Sequence, residues 1–480
     1  MAESILVLPL AAAVISILTD SFLAGLTVVV QVLALAFSLD LAWRVVAGGP
    51  LVRGWFYVDA VSALFLVTVA VVSCGAALYS AGYVRSAHEG QPITGAALRR
   101  YYAQFNLFTF AMLAIPLLAN LGLVWIALEL TTLASVFLVG YEYTGRATEA
   151  AWKYLVLSFV GAMLGLWSLV LLYYTAVHAA GPATGLDWAG LYALAGALTP
   201  RTVKVVLLLA LIGYGTKAGL APMHTWLPDA HGEAPSPVSA LLSGAKTTVS
   251  FYVVLRFYFI AVRTLGPAAQ HMMLFFALLS VAIAAVFILQ QQDYKRMLAY
   301  STVEHIGIAG LGAAFGTPLA IYGMLFHLFN HAVTKSNLFY AAGNVLLKYR
   351  TREISGIRGL LKSMPFTGVV FLAATLAIAG LPPSGIFVSE LAVLIAGFHT
   401  YPAAAVVLLV LLAMVFIGLV RSVAGMVFGQ PEPGVPELKI SGWSNLAMGL
   451  NMLIIILPGL ALLPLLPSLL GAAAAVFAGR

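Results

Sequence analysis

Apolar runs of about 20 residues follow one another along nearly the whole chain, parted by short charged or Pro/Gly-rich breaks. The runs are continuous, not alternating, so they read as membrane-spanning helices, and strands are not expected. Of 480 residues, 62% are hydrophobic and 9% charged, and mean hydropathy is +1.02. A soluble core could not hide that much apolar surface. The expected fold class is therefore an all-α polytopic membrane protein. At about 20 residues per span, the breaks mark about 14 spans. They run 3–19, 22–46, 58–82, 103–119, 121–141, 150–177, 202–221, 236–262, 270–290, 297–315, 318–347, 366–397, 402–428 and 443–466. The apolar tail after Pro467 reads as a partial interfacial helix. The first segment, MAESILVLPLAAAVISIL, lacks a basic leader region and reads as a retained span. The single Cys74 lies mid-helix, so neither a disulfide framework nor a cysteine metal cluster is expected.

The net charge is +7, and it is unevenly placed. With the N-terminus outside, the inner loops hold Arg85, Arg99, Arg100, Arg146, Lys295, Arg296, Lys348, Arg350, Arg352, Arg358, Lys362 and Lys439. The outer loops hold Arg44, Arg53, Arg201, Arg263 and Arg480. The positive-inside rule favours this orientation in a prokaryotic cytoplasmic membrane. Basic charge here sets topology and meets anionic lipid, and nothing points to nucleic acid.

Charges inside the apolar runs carry the functional signal. Lys217 lies in VVLLLALIGYGTKAGLAP, where an ammonium costs at least ~2.5–3.5 kcal/mol to insert. Glu129, Lys246, Lys335 and Glu390 lie in similar runs. Buried titratable groups on separate spans read as an ion path. Paired with Lys217, Glu129 would keep it charged, and separation would release the proton. The alternative is a static pair joining two helices. Lys246 either joins the path beside Ser243, Thr247 and Thr248, or snorkels to the inner interface. His327, His331 and Lys335 recur every four residues and share one face. That spacing suits a proton wire; the lysine and the lack of a carboxylate partner argue against metal. Glu390 is read as a last relay group, or else as a helix cap or a partner for Lys335. Glu304 and His305 are weaker candidates. Asp59 and Lys153 lie near span ends, where interface anchoring competes with a relay role.

Two spans carry the same damage. GYGTKAGLAPMHTWLP places Lys217 before Pro222, and LAIAGLPPSGIFVSEL places Pro382–Pro383 before Glu390. Proline should break each helix there, and the freed backbone groups then need polar partners. Five spans separate the breaks, so they occupy matching places in two five-span blocks, spans 4–8 and 9–13. An odd number of spans inverts one block against the other, as in transporters with discontinuous helices. One membrane domain results, with three N-terminal spans (1–102), a first repeat (103–262), a second (270–428) and a C-terminal span and tail (429–480). No cysteine cluster or Gly-rich phosphate loop supports redox or nucleotide chemistry, so no cofactor is expected in this chain. The 44 glycines are scattered through helices, where they permit close packing.

GYGTKAGLAPMHTWLPDAHGEAPSPVSALLSG closely resembles the signature segment of the antiporter-like membrane subunits of respiratory complex I. Mrp-type cation/proton antiporters and membrane-bound group-four NiFe-hydrogenases share that fold. WIALELTTLAS, AYSTVEHIGI, FHLFNHAVTKSNLFYAAGNVLLKYRTREI and AGLPPSGIFVSEL also match, and the flanking AAWKYLVLSFVG, RMLAYSTVE and GNVLLKYRTRE look most like the hydrogenase-4 component F type. The resemblance, over residues 55 to 430, implies 14 helices, inverted repeats and a hydrophilic axis. By motif it assigns Glu129, Lys217, His327, His331, Lys335 and Glu390 to the relay. It also matches His305 to a histidine of the complex I type and Glu304 to a glutamate of the hydrogenase type. The eighth-span lysine of the family aligns nearer Thr248, two residues from Lys246. The implied function is a proton- or sodium-translocating, non-redox subunit of a multisubunit oxidoreductase, partnered by other membrane subunits. A cation/proton antiporter module without redox coupling is the alternative, and a silent scaffold is a third reading.

Overall fold

A computed structural model describes residues 1–87, 94–431, 437–463 and 465–477. Arg480, assigned above to the outer side, lies outside them. The described residues are mostly helical. In chain order the helices are α1 (Ala2–Leu18), α2 (Leu23–Gly48), α3 (Ala60–Ser86), α4 (Gly95–Ala114), α5 (Leu121–Val139), α6 (Gly145–Ala180), α7 (Trp188–Ala193), α8 (Pro200–Ala218), α9 (Trp226–Glu233), α10 (Ser236–Ala240), α11 (Thr247–Leu265), α12 (Pro267–Gln290), α13 (Tyr294–Phe315), α14 (Pro318–Tyr349), α15 (Leu360–Ser363), α16 (Pro365–Ile378), α17 (Gly385–Thr400), α18 (Pro402–Val427), α19 (Gly442–Ile456) and α20 (Leu465–Phe477). A π-helical turn, Leu241–Lys246, joins α10 to α11.

Seven of these stretches are long and apolar enough to cross a membrane: α2, α3, α5, α6, Ser236–Leu265, α12 and α18. Helices α1, α16, α17, α19 and α20 are apolar but shorter. Helices α8, α13 and α14 are absent from both groups, because the polar residues they carry, Lys217, Glu304 and Lys335 among them, lower their hydropathy. Burial sorts the bundle. The most apolar window of α3 is 94% buried, against 33% for α2 and α18. Helix α3 is thus an inner pillar, while α2 and α18 present exposed Val, Leu and Phe side chains suited to lipid. Small residues let α6 and α8 approach closely: a Cβ on Gly213 would stand 2.8 Å from the Gly161 carbonyl oxygen.

Two local expectations need correction. Strands Leu51–Arg53 and Phe56–Val58 form an antiparallel hairpin where no strand was expected. Val, Phe, Tyr and Val flank the Gly54–Trp55 turn, a short β pattern that the helical runs overshadow. The hairpin docks on the α4–α5 connection, with Tyr57 N–H donating to the Leu117 carbonyl at 3.1 Å. Helix α7 lies in a stretch read as a loop. The tail, expected as a partial interfacial helix, is helical as α20 and packs against α3 and α14, where Leu466, Leu469 and Leu470 are buried.

Both predicted breaks are present. Helix α8 stops at Ala218, and Gly219 takes a positive φ of 91°, the left-handed geometry that ends helices at glycine. The chain becomes helical again at Trp226. Helix α16 stops at Ile378, and α17 starts at Gly385. The freed backbone groups find partners. Trp226 Nε1 donates to the Thr216 carbonyl at 2.7 Å, and the Ala221 N–H donates to Ser280 Oγ at 2.9 Å. Ser384 Oγ donates to the Leu381 carbonyl at 2.7 Å and accepts from the Phe387 N–H at 3.3 Å.

Candidate functional site

Lys217 stands in the last turn of α8, where the unpaired carbonyl ends of the helix favour a cation. It is fully buried. Its Nζ donates to Glu129 Oε2 at 3.1 Å and to Thr132 Oγ1 at 2.7 Å, both on α5. Glu129 Oε1 has no hydrogen-bond partner among the described residues. The pair is therefore held by one contact on the carboxylate side.

Lys246 closes the π-helical turn. It is fully buried, which leaves no room for the snorkelling alternative. Its Nζ has no hydrogen-bond partner among the described residues. Aromatic faces hold it instead: Nζ lies 4.1 Å from the Trp226 ring centre and 4.5 Å from that of Tyr154. Lys217 and Glu129 are within electrostatic reach.

His231, on α9 just past the first break, is a further buried titratable group, one that the sequence pattern alone does not single out. It is buried, neither ring nitrogen has a hydrogen-bond partner among the described residues, and it stacks on Phe339. Lys246, Lys335 and Lys295 lie within electrostatic reach. Its periodic neighbours carry no titratable partner, so spacing alone is silent. The available signal was its place in PDAHGEAP, directly after the break.

The second cluster is built by α13, α14 and α17. Lys335 Nζ donates to the Leu298 carbonyl at 2.8 Å and makes no ion pair among the described residues. Glu304 is within its electrostatic reach. Packing brings His305 beside the His327 and His331 rings, with centroids 5.0 and 5.1 Å away. Its Nδ1 is 3.0 Å from His327 Nε2 and 3.9 Å from Glu390 Oε1, and its Nε2 is 3.8 Å from Glu304 Oε2. Neither nitrogen of His331 has a hydrogen-bond partner among the described residues. Glu390 lies in the second turn of α17 and fits neither structural alternative offered for it. Ser384 caps α17, and Lys335 is bonded elsewhere. Gly380 leaves space for the carboxylate: its φ is +76°, and a Cβ there would collide with Glu390 Oε2.

Asp59 and Lys153 lie apart from this string. Asp59 caps α3 and is bound by both terminal nitrogens of Arg256, each at 2.8 Å. Arg256 also donates to Ser62 and Tyr252 and lies 3.9 Å from the Trp188 ring centre. Arg256 carries no sequence signal of its own, because its position late in its span resembles that of a snorkelling side chain. Lys153 is half-exposed in a surface network with Glu149 at 2.7 Å and Asp229 at 3.4 Å. Arg296 bonds the same Asp229, and Arg352 pairs with Glu233 at 2.8 Å. These groups border a charged cleft of about 280 Å³ beside α9.

Residues 118–416, more than half the chain, match the family model described as NADH:quinone oxidoreductase/Mrp antiporter, TM. The chain is 35% identical over 380 residues to a hydrogenase-4 component F homolog of Methylacidiphilum infernorum, covering 79% of this chain and 80% of that protein. It is 31% identical over 415 residues to NADH-quinone oxidoreductase subunit N of Desulforudis audaxviator, covering 83% and 79%. Its fold is similar to a chain of the membrane-bound sulfane sulfur reductase, an archaeal respiratory membrane complex. That match has a TM-score of 0.88 at 25% identity and covers 99% of this chain and 97% of the other. The protein belongs to the NADH:quinone oxidoreductase/Mrp antiporter transmembrane family.

Proposed function

We propose that this chain is a proton- or sodium-translocating membrane subunit of a multisubunit oxidoreductase complex. One observation carries the reading: a string of titratable groups, buried except for the partly buried Glu129, runs through a bundle whose helices are broken twice beside it. In order, the string is Glu129, Lys217, Lys246, His231, Lys335, His331, His305, His327 and Glu390, with Glu304 flanking it. Each member on its own is costly in lipid, and together they offer a conducting path. Glu129 holds the Lys217 proton. When the carboxylate moves away, an ammonium in low dielectric gives up its proton to the next acceptor. Lys246, once its own proton has passed onward and it is a neutral amine, and the unbonded imidazole of His231 are positioned to receive it. Histidines then exchange the proton toward Glu390. Asp59 and Arg256 have no part in this traffic.

The reading includes 14 spans, two inverted repeats that place α8/α9 opposite α16/α17, and an outer N-terminus. Matching breaks, each beside one titratable group, support the repeats. It assigns no redox cofactor to this chain, so electron transfer belongs to other subunits. Respiratory assemblies among the relatives support membrane partners of that kind. The antiporter module of an Mrp-type complex is the second reading, favoured by the shared family model. The test is purification from native membranes, identification of the co-purifying subunits, and ion uptake in reconstituted vesicles driven by the complex's own reaction. Coupled uptake with a hydrogenase- or quinone-reductase-like large subunit is expected. Small membrane subunits alone, with uptake driven by a cation gradient, would establish the antiporter instead.

A further inference from the structure

In sequence, the His327–His331–Lys335 ladder has no carboxylate partner and a lysine in place of a third ligand, which argues against metal. Folding supplies a carboxylate from another helix. His305 Nδ1, His327 Nε2 and a Glu390 carboxylate oxygen all lie within 4.8 Å of one another, and all three residues are buried. The two nitrogens are 3.0 Å apart, and Glu390 Oε1 is 3.9 Å from His305 Nδ1. Donors on a tetrahedral Zn²⁺, with bonds of about 2.0–2.2 Å, stand roughly 3.3–3.6 Å from each other. Side-chain shifts of about an ångström would bring this trio to that spacing. We infer that His305, His327 and Glu390 form a binding site for a divalent first-row transition cation, for which Zn²⁺ and Co²⁺ are the probes.

The surroundings orient the donors. Ser389 Oγ donates to the Ile386 carbonyl at 2.8 Å, so it accepts from His327 Nδ1 at 3.1 Å. That fixes the His327 tautomer with the hydrogen on Nδ1 and aims the Nε2 lone pair into the site, as an outer partner does for a metal-bound imidazole. His305 Nδ1 then carries the hydrogen shared with His327. Cation binding moves it to His305 Nε2, which has no hydrogen-bond partner among the described residues and faces Glu304 Oε2 at 3.8 Å. The imidazole stays neutral through that exchange, and Glu390 binds as a carboxylate. Two nitrogens and one oxygen suit Zn²⁺, Co²⁺ or Ni²⁺. Ca²⁺ and Mg²⁺ want about six or more oxygens.

The donors come from three helices, so a bound cation ties α17, the far half of a broken helix, to α13 and α14. It also occupies the lone pairs that the proposed relay would use. Binding stands without the proposed function, and block of translocation rests on it. The experiment uses the full chain with the subunits that co-purify, in detergent, after chelator treatment. Co²⁺ titration should give visible ligand-field absorption of tetrahedral intensity, saturating at one equivalent and displaced by Zn²⁺. Ser389→Ala, which removes an orienting partner but no ligand, should weaken binding about 10- to 100-fold. Glu390→Gln should abolish the band, and His331→Ala should leave it. No saturable band in the wild type, or a band unchanged in Glu390→Gln and Ser389→Ala, overturns the site. In vesicles, Zn²⁺ should stop ion uptake at concentrations that fill the site. A filled site with undiminished uptake would leave the binding site standing and remove these residues from the relay.

Discussion

Two ion pairs inside the bundle, one buried on both sides and one with a partly buried carboxylate, are built on opposite plans. Arg256 and Asp59 share two contacts of 2.8 Å, and the guanidinium is further held by Ser62, Tyr252 and the Trp188 ring. Asp59 also accepts the Ser62 N–H at 2.8 Å as the cap of α3. Lys217 and Glu129 share one contact of 3.1 Å, and one carboxylate oxygen is left without a partner. A guanidinium does not deprotonate in proteins, whereas an ammonium on a flexible stem does when its surroundings change. The first pair is over-determined and cannot release a proton. The second is under-determined and made of groups that can. The difference teaches that charge inside a membrane bundle can be locked or left exchangeable, and that counting partners and the chemistry of the cation tell the two apart.

The sharpest way to break this contrast is to exchange the cations. Lys217→Arg should lower ion uptake in vesicles by on the order of 100-fold or more, because the charge is kept but the proton is not exchangeable. Arg256→Lys should retain uptake while lowering the unfolding midpoint. Uptake that survives Lys217→Arg would make both pairs structural. Next in size is the loss of a carboxylate. Asp59→Asn leaves a buried guanidinium short of its counter-charge and should cost about 3–5 kcal/mol in detergent unfolding. Glu129→Gln should cost about 1–2 kcal/mol, since Lys217 keeps Thr132. Equal losses would erase the distinction. Lys335→Ala extends the comparison to the second cluster, where the lysine makes no direct ion pair and Glu304 keeps its bond from Ser301. Uptake should fall about tenfold or more, with a smaller loss of stability than Asp59→Asn in the same unfolding assay. Smallest is Lys153→Ala, at a half-exposed site, which should leave the unfolding midpoint unmoved.

Much of this was legible in the residues. Lys217, Glu390 and the two proline breaks stand out because each violates the apolar pattern around it, and a violation in lipid needs no partner to be noticed. The histidine ladder on α14 is visible from its four-residue spacing. Partnerships were harder. Nothing near Lys335 in sequence points to the Leu298 carbonyl, 37 positions away, and nothing near Asp59 points to Arg256. His231 escaped notice because its significance lies in what α13 and α14 bring toward it. The Leu51–Val58 hairpin was missed for a plainer reason: its strands are three residues each, too short to register beside runs of helical length.

The π-helical turn before α11 has a consequence for how its helix can be altered. An α-helix advances about 100° per residue, so a wider turn works like an added tooth in a gear. Residues up to Ala240 and residues from Thr247 onward are then indexed from different angular origins. Val238 and Arg256 face their present neighbours only while that extra tooth is there. Changing a side chain within Leu241–Lys246 alters one contact, whereas deleting one residue rotates everything downstream. Arg256 would swing away from Asp59 while the proline-rich start of the stretch stayed in place. Mechanical phase, as much as chemical identity, is what keeps one charge locked and its neighbour Lys246 against the rings.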